Sequence, residues 1–365
     1  MDNMKIGKVN IDLKHYPGED FYSEGEIEDR LLKICEENTP DKFRKIIEDN
    51  SEWAYLYHLS TQRQNIVSWL PITKNDKVLE IGAGPGAITG ELCKLAQSVD
   101  AIDLSLKRSR MNANRNKECD NLSIKVGNFK DIEPELDCDY DWIMLIGVFE
   151  YAALYIGGDT AYEDFLNIIK KHVKKGGRIV IAIENRLGLK YFAGCKEDHT
   201  CVFFDGIENY KDDSHVRTFS KKGLEKIFNK VDITDYHFYF PYPDYKLPNT
   251  VFSEKRLPML GELRDNIRNF DQDRLLLFNE TKAFDGMIEE GMFPDFSNSF
   301  EVIIGPDINV SYPKYSMERD DKFCVKTRII DAGLLKKVEK SSAYDSGKEH
   351  ITNIKKAADE FSMRQ

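Results

Sequence analysis

The sequence predicts an α/β protein, an open and mainly parallel sheet with helices on both faces. Three observations predict it. The short apolar run Val78-Leu79-Glu80-Ile81 turns at once into the glycine-spaced loop Gly82-Ala83-Gly84-Pro85-Gly86, and Ala87 to Leu92 then opens a helix. Bare backbone at such a bend lets a nucleotide-like ligand lie where a side chain would otherwise stand. An acid, Asp103, follows about 20 residues after the loop, where a carboxylate takes ribose hydroxyls. Finally, 365 residues can bury a large core, enough for one domain of roughly 200 to 250 residues with substantial additions.

The elements follow in chain order. Residues 1–72 read as a helical cap. Glu24 to Glu37 is amphipathic, with Ile27, Leu31, Leu32 and Ile34 on one face. Lys42 to Glu48 makes a second short helix. Ser51 to Leu70 makes a longer one, with Trp53, Leu56, Leu59, Ile66, Val67 and Leu70 at helical spacing until Pro71 stops it. A core domain is expected over 73–310. Inside it, Phe165 to Val173 is amphipathic, and Lys174-Lys175-Gly176-Gly177 turns into the strand Arg178 to Ile183. Residues 184–218 have little apolar periodicity and read as a lid, because long connections in compact domains are commonly functional loops. Phe219 to Asn229 is helical, and Ile233 to Phe240 alternates as a strand. Residues 241–299 form an insertion with helices over 257–270 and 273–290, and Phe300 to Ile304 is a further strand. In 311–365, a hairpin (323–330 and 334–338) turns at Asp331-Ala332-Gly333 and a polar helix covers 346–361, so this stretch reads as a small α+β appendage, with the start of a truncated second domain as the alternative reading.

Two cofactors compete for the loop. Gly82-Ala83-Gly84-Pro85-Gly86-Ala87 fits the dinucleotide fingerprint, which suits NAD. Three details favour S-adenosylmethionine: Glu80 lies inside the strand two residues before the first glycine, the third glycine follows two residues after the second, and about 70 residues precede the loop. The chain resembles class I S-adenosylmethionine-dependent methyltransferases. Val99 to Ser105 is similar to their second strand and Ile124 to Phe129 to their third strand and adenine-side turn. Tyr140 to Tyr151 is similar to the fourth strand with its loop, and Lys174 to Ile183 to the fifth strand. Asn128 stands where the family often has Asp. The resemblance implies a Rossmann-like sheet of seven strands with the last antiparallel. A narrower resemblance, through Tyr57-His58-Leu59-Ser60, Glu184 to Gly194 and Phe240 to Pro248, is to a bacterial methyltransferase group often encoded beside or fused to glycosyltransferases. It implies a glycan-linked or small-molecule acceptor and a glycosyltransferase as a partner.

Composition narrows the class. A net charge of -11 disfavours non-specific nucleic-acid binding, which depends on Lys and Arg releasing counterions. No apolar run reaches membrane-spanning length and the first residues lead into no signal-peptide core, while the 7 cysteines contain no C-x-x-C pair. A cytoplasmic protein with reduced thiols is expected. Cys195, His199 and Cys201 are three soft ligands without a fourth, so an ordinary loop histidine is expected there and no metal.

The resemblance assigns roles by position. Gly82, Ala83, Gly84 and Gly86 approach the methionine part and ribose, Asp103 takes the ribose hydroxyls, and Glu80 helps orient the methionine ammonium. Leu104, Asn128 and Phe129 border adenine, and Gly147 and Val148 run beside the transferring methyl. S-adenosylmethionine supplies an activated methyl and leaves as S-adenosylhomocysteine, so the protein must position donor and acceptor in line. A hydroxyl acceptor benefits from a general base. His199, beside Asp198, is the candidate, with His58 second. Tyr151, Asn185, Arg186, Tyr242 and Tyr245 are expected to contact the acceptor. Two alternatives stand: a binding module that keeps the pocket while serving a glycan-assembly enzyme, and a nucleic-acid methyltransferase. The second is opposed by Gly147-Val148-Phe149-Glu150-Tyr151 where base-amino methylation usually carries Asp/Asn-Pro-Pro-Tyr/Phe.

Overall fold

The computed structural model describes residues 3–20, 25–211, 214–264, 273–316, 323–332 and 335–342. Its strands are β1 (Asn3–Ile6), β2 (Val9–His15), β3 (Lys77–Ile81), β4 (Ser98–Asp103), β5 (Leu122–Gly127), β6 (Tyr140–Ile146), β7 (Val173–Glu184), β8 (Tyr236–Tyr242), β9 (Thr250–Ser253), β10 (Ser299–Ile304), β11 (Lys314–Ser316), β12 (Val325–Ala332) and β13 (Leu335–Ser342). They join in one sheet, ordered β1-β2-β5-β4-β3-β6-β7-β10-β8-β9-β11-β12-β13. The stretch from β2 to β7 is parallel. β10 lies antiparallel between β7 and β8.

The central strands are apolar on both faces, as parallel strands covered by helices must be. Along β3, β6 and β7 the side chains alternate between two cores. Leu79, Ile81, Ile143, Leu145, Ile179 and Ile181 fill one. Val78, Trp142, Met144, Val180 and Ala182 fill the other. Each such aliphatic side chain contributes about 1.5–3 kcal/mol by leaving water. A third, smaller cluster of Leu31, Phe43, Tyr55, Leu59 and Met111 fastens the N-terminal helices to the helix Leu106–Arg115. There Asp20 accepts the backbone N–H groups of Leu106 (2.7 Å) and Lys107 (3.0 Å), and Arg108 pairs with buried Glu28 at 2.7 Å. The first turn of the helix after β4 is thereby held from the N-terminal segment.

The structure departs from the sequence-based expectation in several places. The sheet has thirteen strands rather than seven. The cap is not all helical, because β1 and β2 form a hairpin that adds to β5. Val9 and Ile11 are fully buried, and Gly7, at φ +57°, makes the turn against Lys117 where a Cβ would lie 2.3 Å from the carbonyl oxygen. The helix expected over 51–70 breaks at Ser60: the α-helix Trp53–Leu59 ends, and the Ser60 hydroxyl caps a tighter 3-10 helix, Thr61–Ile66, by accepting the Gln62 N–H at 3.1 Å. The amphipathic helix is Ala161–Ile169, four residues earlier than expected, and Val173 already belongs to β7. The insertion is part strand: β9 pairs with β8, and the helices there are Glu280–Glu289 and Phe293–Phe296. Residues 257–264 are turns rather than helix, pinned by Arg256 on Glu262, and 265–272 lie outside the described residues. The tail hairpin, β12 and β13, extends the same sheet through β11 rather than standing apart. The helix expected over 346–361 lies outside the described residues.

Candidate active site

Beyond the carboxyl ends of β3, β4, β6 and β7 lies a cavity of about 450 Å³, the usual ligand position in open α/β sheets. The glycine loop forms one wall. Gly84 takes φ +53° and nothing stands within 4 Å of where its Cβ would be, so its bare backbone faces open space. Its N–H donates to Asp103 Oδ2 at 2.7 Å, and the Ser105 N–H donates to Asp103 Oδ1 at 2.9 Å. Asp103 therefore ties the loop to the end of β4 while each oxygen keeps a lone pair for a ligand hydroxyl. Burial pushes its carboxyl up, opposed by these N–H groups and by Arg108. Glu80 is buried and accepts the Thr89 hydroxyl at 2.6 Å. Burial raises its carboxyl to about 8.

Of the residues assigned to the cofactor, Glu80, Gly82, Ala83, Gly84, Asp103, Leu104, Asn128, Phe129, Gly147 and Val148 line this cavity. Asn128 also caps the helix Phe129–Ile132 by accepting the Lys130 N–H at 3.0 Å. Gly86 does not line it. A Cβ there would fall 2.3 Å from Asn112 Oδ1 and 2.9 Å from Asn112 Cα, so this glycine serves helix packing. Gly82 is bare because Val148 presses on it, with Cγ2 at 2.5 Å from a Cβ. The helix Trp53–Leu59 covers the cavity with Trp53, Tyr57 and His58.

The far end is a polar floor. Glu150, in the 3-10 turn after β6, and Glu184, the last residue of β7, are 1 % and 0 % exposed. His199 reaches them from the loop after β7. Buried Glu197 fixes that loop by accepting the N–H groups of His199 (2.6 Å) and Thr200 (2.7 Å). His199 Nδ1 is 3.1 Å from the Tyr151 hydroxyl, and Nε2 is 3.5 Å from Glu184 Oε2, a charge contact without hydrogen-bond alignment. Lys246 Nζ meets Glu184 Oε1 at 2.8 Å and also pairs with Asp198, which Lys190 holds at 2.9 Å.

Burial alone would lower the His199 imidazole, but Glu184 and Glu150 outweigh it and hold it at about 9. The two carboxyl groups thus favour the charged form of the ring, which opposes the general-base role expected for it. Burial raises Glu184, yet Lys246, His199 and Lys190 together keep it well below the usual carboxylate range. Burial and the Glu184 charge push Glu150 up to about 8.

Three expected acceptor contacts lie elsewhere. Asn185 is wholly buried and donates to the Asp295 and Ser297 carbonyls, both at 2.8 Å, which locks β7 to the insertion. Arg186 points away and donates to Asn209 Oδ1 (2.8 Å) and the Gly206 carbonyl (3.1 Å). Tyr242 is core, edge-on to Phe252 and Phe284. Tyr151 and Tyr245 do line the cavity. Sequence reasoning missed Lys246 as a floor residue. Its signal was the alternation of charge and aromatics in Asp244-Tyr245-Lys246. Cys195 is buried near Arg274 and Glu280, and Cys201 is exposed. Among the described residues the metal-type side chains that converge are Glu150, Glu184 and His199.

A family described as a methyltransferase domain matches residues 79–179. Ribosomal RNA small subunit methyltransferase A of Borreliella afzelii is 26% identical over 231 residues, 62% of this chain and 77% of that protein. A probable cobalt-precorrin-6B C(15)-methyltransferase (decarboxylating) of Methanothermobacter thermautotrophicus is 32% identical over 114 residues, 30% of this chain and 52% of that protein. A SAM-dependent methyltransferase from Archaeoglobus fulgidus superposes with a TM-score of 0.41 at 16% identity, covering 68% of this chain and 95% of that one. No helix among the described residues is long and apolar enough to cross a membrane. The chain is an S-adenosylmethionine-dependent methyltransferase, with S-adenosylmethionine as its cofactor.

Proposed function

We propose that this S-adenosylmethionine-dependent methyltransferase delivers its methyl group to a hydroxyl oxygen of a small or glycan-linked acceptor. One observation carries the reading: the cavity ends in a floor of hydrogen-bonding and charged side chains, Glu150, Tyr151, Glu184, His199, Tyr245 and Lys246, of which Glu150, Glu184 and Tyr245 are buried. Such a floor suits a polyhydroxylated acceptor, because buried carboxylates accept from its hydroxyls while the imidazolium and ammonium donate to its oxygens. With adenosine along the glycine loop and Asp103, the sulfonium would lie near Gly147, between donor wall and floor. In-line displacement then needs only that the acceptor oxygen be held on the floor side, and enclosure under Trp53 and Tyr57 excludes water.

The segments that resemble the glycosyltransferase-associated group support the glycan class. Tyr57 and His58, Glu184, and Tyr245 with Lys246 come from three distant stretches and line the same cavity. A glycosyltransferase partner and a cytoplasmic setting belong to this reading. A phosphate-rich strand is a poor match for a floor with two buried glutamates on a chain of net charge -11.

The test is transfer of labelled methyl from S-adenosylmethionine to nucleotide sugars, lipid-linked glycan precursors and ribosomal RNA side by side. Alkali-stable label in a glycan ether is expected. Label in RNA alone contradicts the acceptor, and cofactor binding with no turnover on any glycan favours a binding module.

A further inference from the structure

Three side chains from separate segments bring bare atoms to one point of the cavity floor. Glu150 Oε2, Glu184 Oε2 and His199 Nε2 are all buried, and none has a hydrogen-bond partner. Metal-ligand atoms of the three residues lie within 4.8 Å of one another. Leaving such an atom unpaired in the interior is costly, and more so when it is charged. Glu184 Oε2 and His199 Nε2 meet only in a charge contact at 3.5 Å and Glu150 Oε2 meets no hydrogen-bond partner, so the three side chains mark a place built for something that satisfies them together.

We infer that Glu150, Glu184 and His199 form a binding site for a divalent metal ion of the manganese, iron or zinc type at the acceptor end of the cavity. Two carboxylate oxygens and an imidazole nitrogen are a mixed oxygen and nitrogen donor set, which suits these ions better than the soft thiolate set that the neighbouring cysteines would offer. All three residues line the cavity, so an ion held by them could also take a substrate oxygen as a further ligand.

The surroundings are those of a supported metal site. With Nε2 on the ion, the ring proton sits on Nδ1 and is donated to the Tyr151 hydroxyl oxygen 3.1 Å away, which fixes tautomer and orientation. Lys246 Nζ holds the other oxygen of Glu184 at 2.8 Å, and the Tyr245 hydroxyl donates to it at 3.4 Å, so Oε2 is turned to the site. Glu197 anchors the backbone under His199. With an ion bound and the ligand protons released, two carboxylates and a neutral imidazole would leave a charge that a divalent ion balances. The inference rests on the reading that this end of the cavity receives the acceptor: an ion here would touch an acceptor hydroxyl and lower its pKa.

The probe is manganese(II) added to the metal-depleted full-length protein, followed by the loss of the free-ion electron paramagnetic resonance signal, with zinc(II) and magnesium(II) as competitors. Saturable binding of one manganese per chain is expected, displaced by zinc. Glu150→Gln and His199→Ala should each weaken it about tenfold or more, with S-adenosylhomocysteine binding retained as the measure of an intact fold. Absence of saturable manganese or zinc binding to the wild-type chain overturns the inference, and so does binding that both substitutions leave unchanged. The two proposals fail separately. Metal binding with this residue dependence but no glycan methylation removes the acceptor reading and leaves the site. Glycan methylation by a chain that binds no metal does the reverse.

Discussion

Glu80 makes cofactor affinity depend on pH in a way that can be worked from its surroundings. It is 4 % exposed, and burial lifts its carboxyl to about 8 despite the Thr89 hydroxyl that favours the ionised form. In the free protein below that pH the group holds a proton. Its role toward the methionine ammonium requires the carboxylate, so binding expels that proton, and affinity is weak at low pH and gained as pH rises through about 8. Roughly 1 % of the group is ionised at pH 6, about 9 % at pH 7 and about half at pH 8. The ligand's amino group lies beside its own carboxylate and keeps its charge across this range. The ionised fraction of Glu80 therefore sets the profile, rising about ninefold from pH 6 to 7 and about fivefold more to pH 8. Glu80→Gln removes the acidic limb, leaving a change of less than about twofold between pH 6 and 7.5. Calorimetry with S-adenosylhomocysteine across this range, in buffers of different ionisation enthalpy, reads both the affinity and the released proton. A wild-type affinity that is flat from pH 6 to 8, or a variant with the same acidic limb, refutes the role given to Glu80.

The glycines of the loop separate binding from folding. Gly84→Ala places a methyl in open cavity, so cofactor affinity should fall by about tenfold or more while thermal stability drops by only about 1–2 kcal/mol from the positive φ. Gly86→Ala drives a methyl into Asn112 instead, and denaturant unfolding should show a loss of about 1–3 kcal/mol or more, comparable affinities in the two variants being the contrary result. Asp103→Asn turns an amide donor toward the N–H of Gly84 or Ser105, so calorimetry should show S-adenosylmethionine weakened by about 1–3 kcal/mol, and an unchanged constant would remove the ribose assignment.

What the sequence made legible follows from how local each signal is. The strand, glycine bend and helix from Lys77 to Leu95 are written in consecutive residues, and so is the acid at the end of β4. The alternation of Val9, Ile11 and Leu13 around a Gly7 turn was equally local, and a helical reading of the N-terminus passed over it. Other features depend on distant partners. The break at Ser60 is a choice between continuing a helix and capping a new one, which a single apolar period does not separate. Asn185, Arg186 and Tyr242 have the residue types of a binding site, but Asp295, Asn209 and Phe284, each more than twenty residues away, claim them for structure. His199 lines the cavity, but the groups that bias its charge, Glu184 and Glu150, come from two different strand ends and are not legible beside it in the sequence. Lys246 likewise becomes a floor residue only when the chain after β8 folds back over β7.

The most direct test of the account is a crystal structure of the full chain with S-adenosylhomocysteine. The account predicts the ribose on Asp103, adenine beside Leu104 and Asn128, the amino acid end along Gly82 to Gly84, and the sulfur turned toward Glu150, Glu184 and His199. A ligand lying the other way, with its sulfur remote from that floor, or one bound outside this cavity, would contradict it.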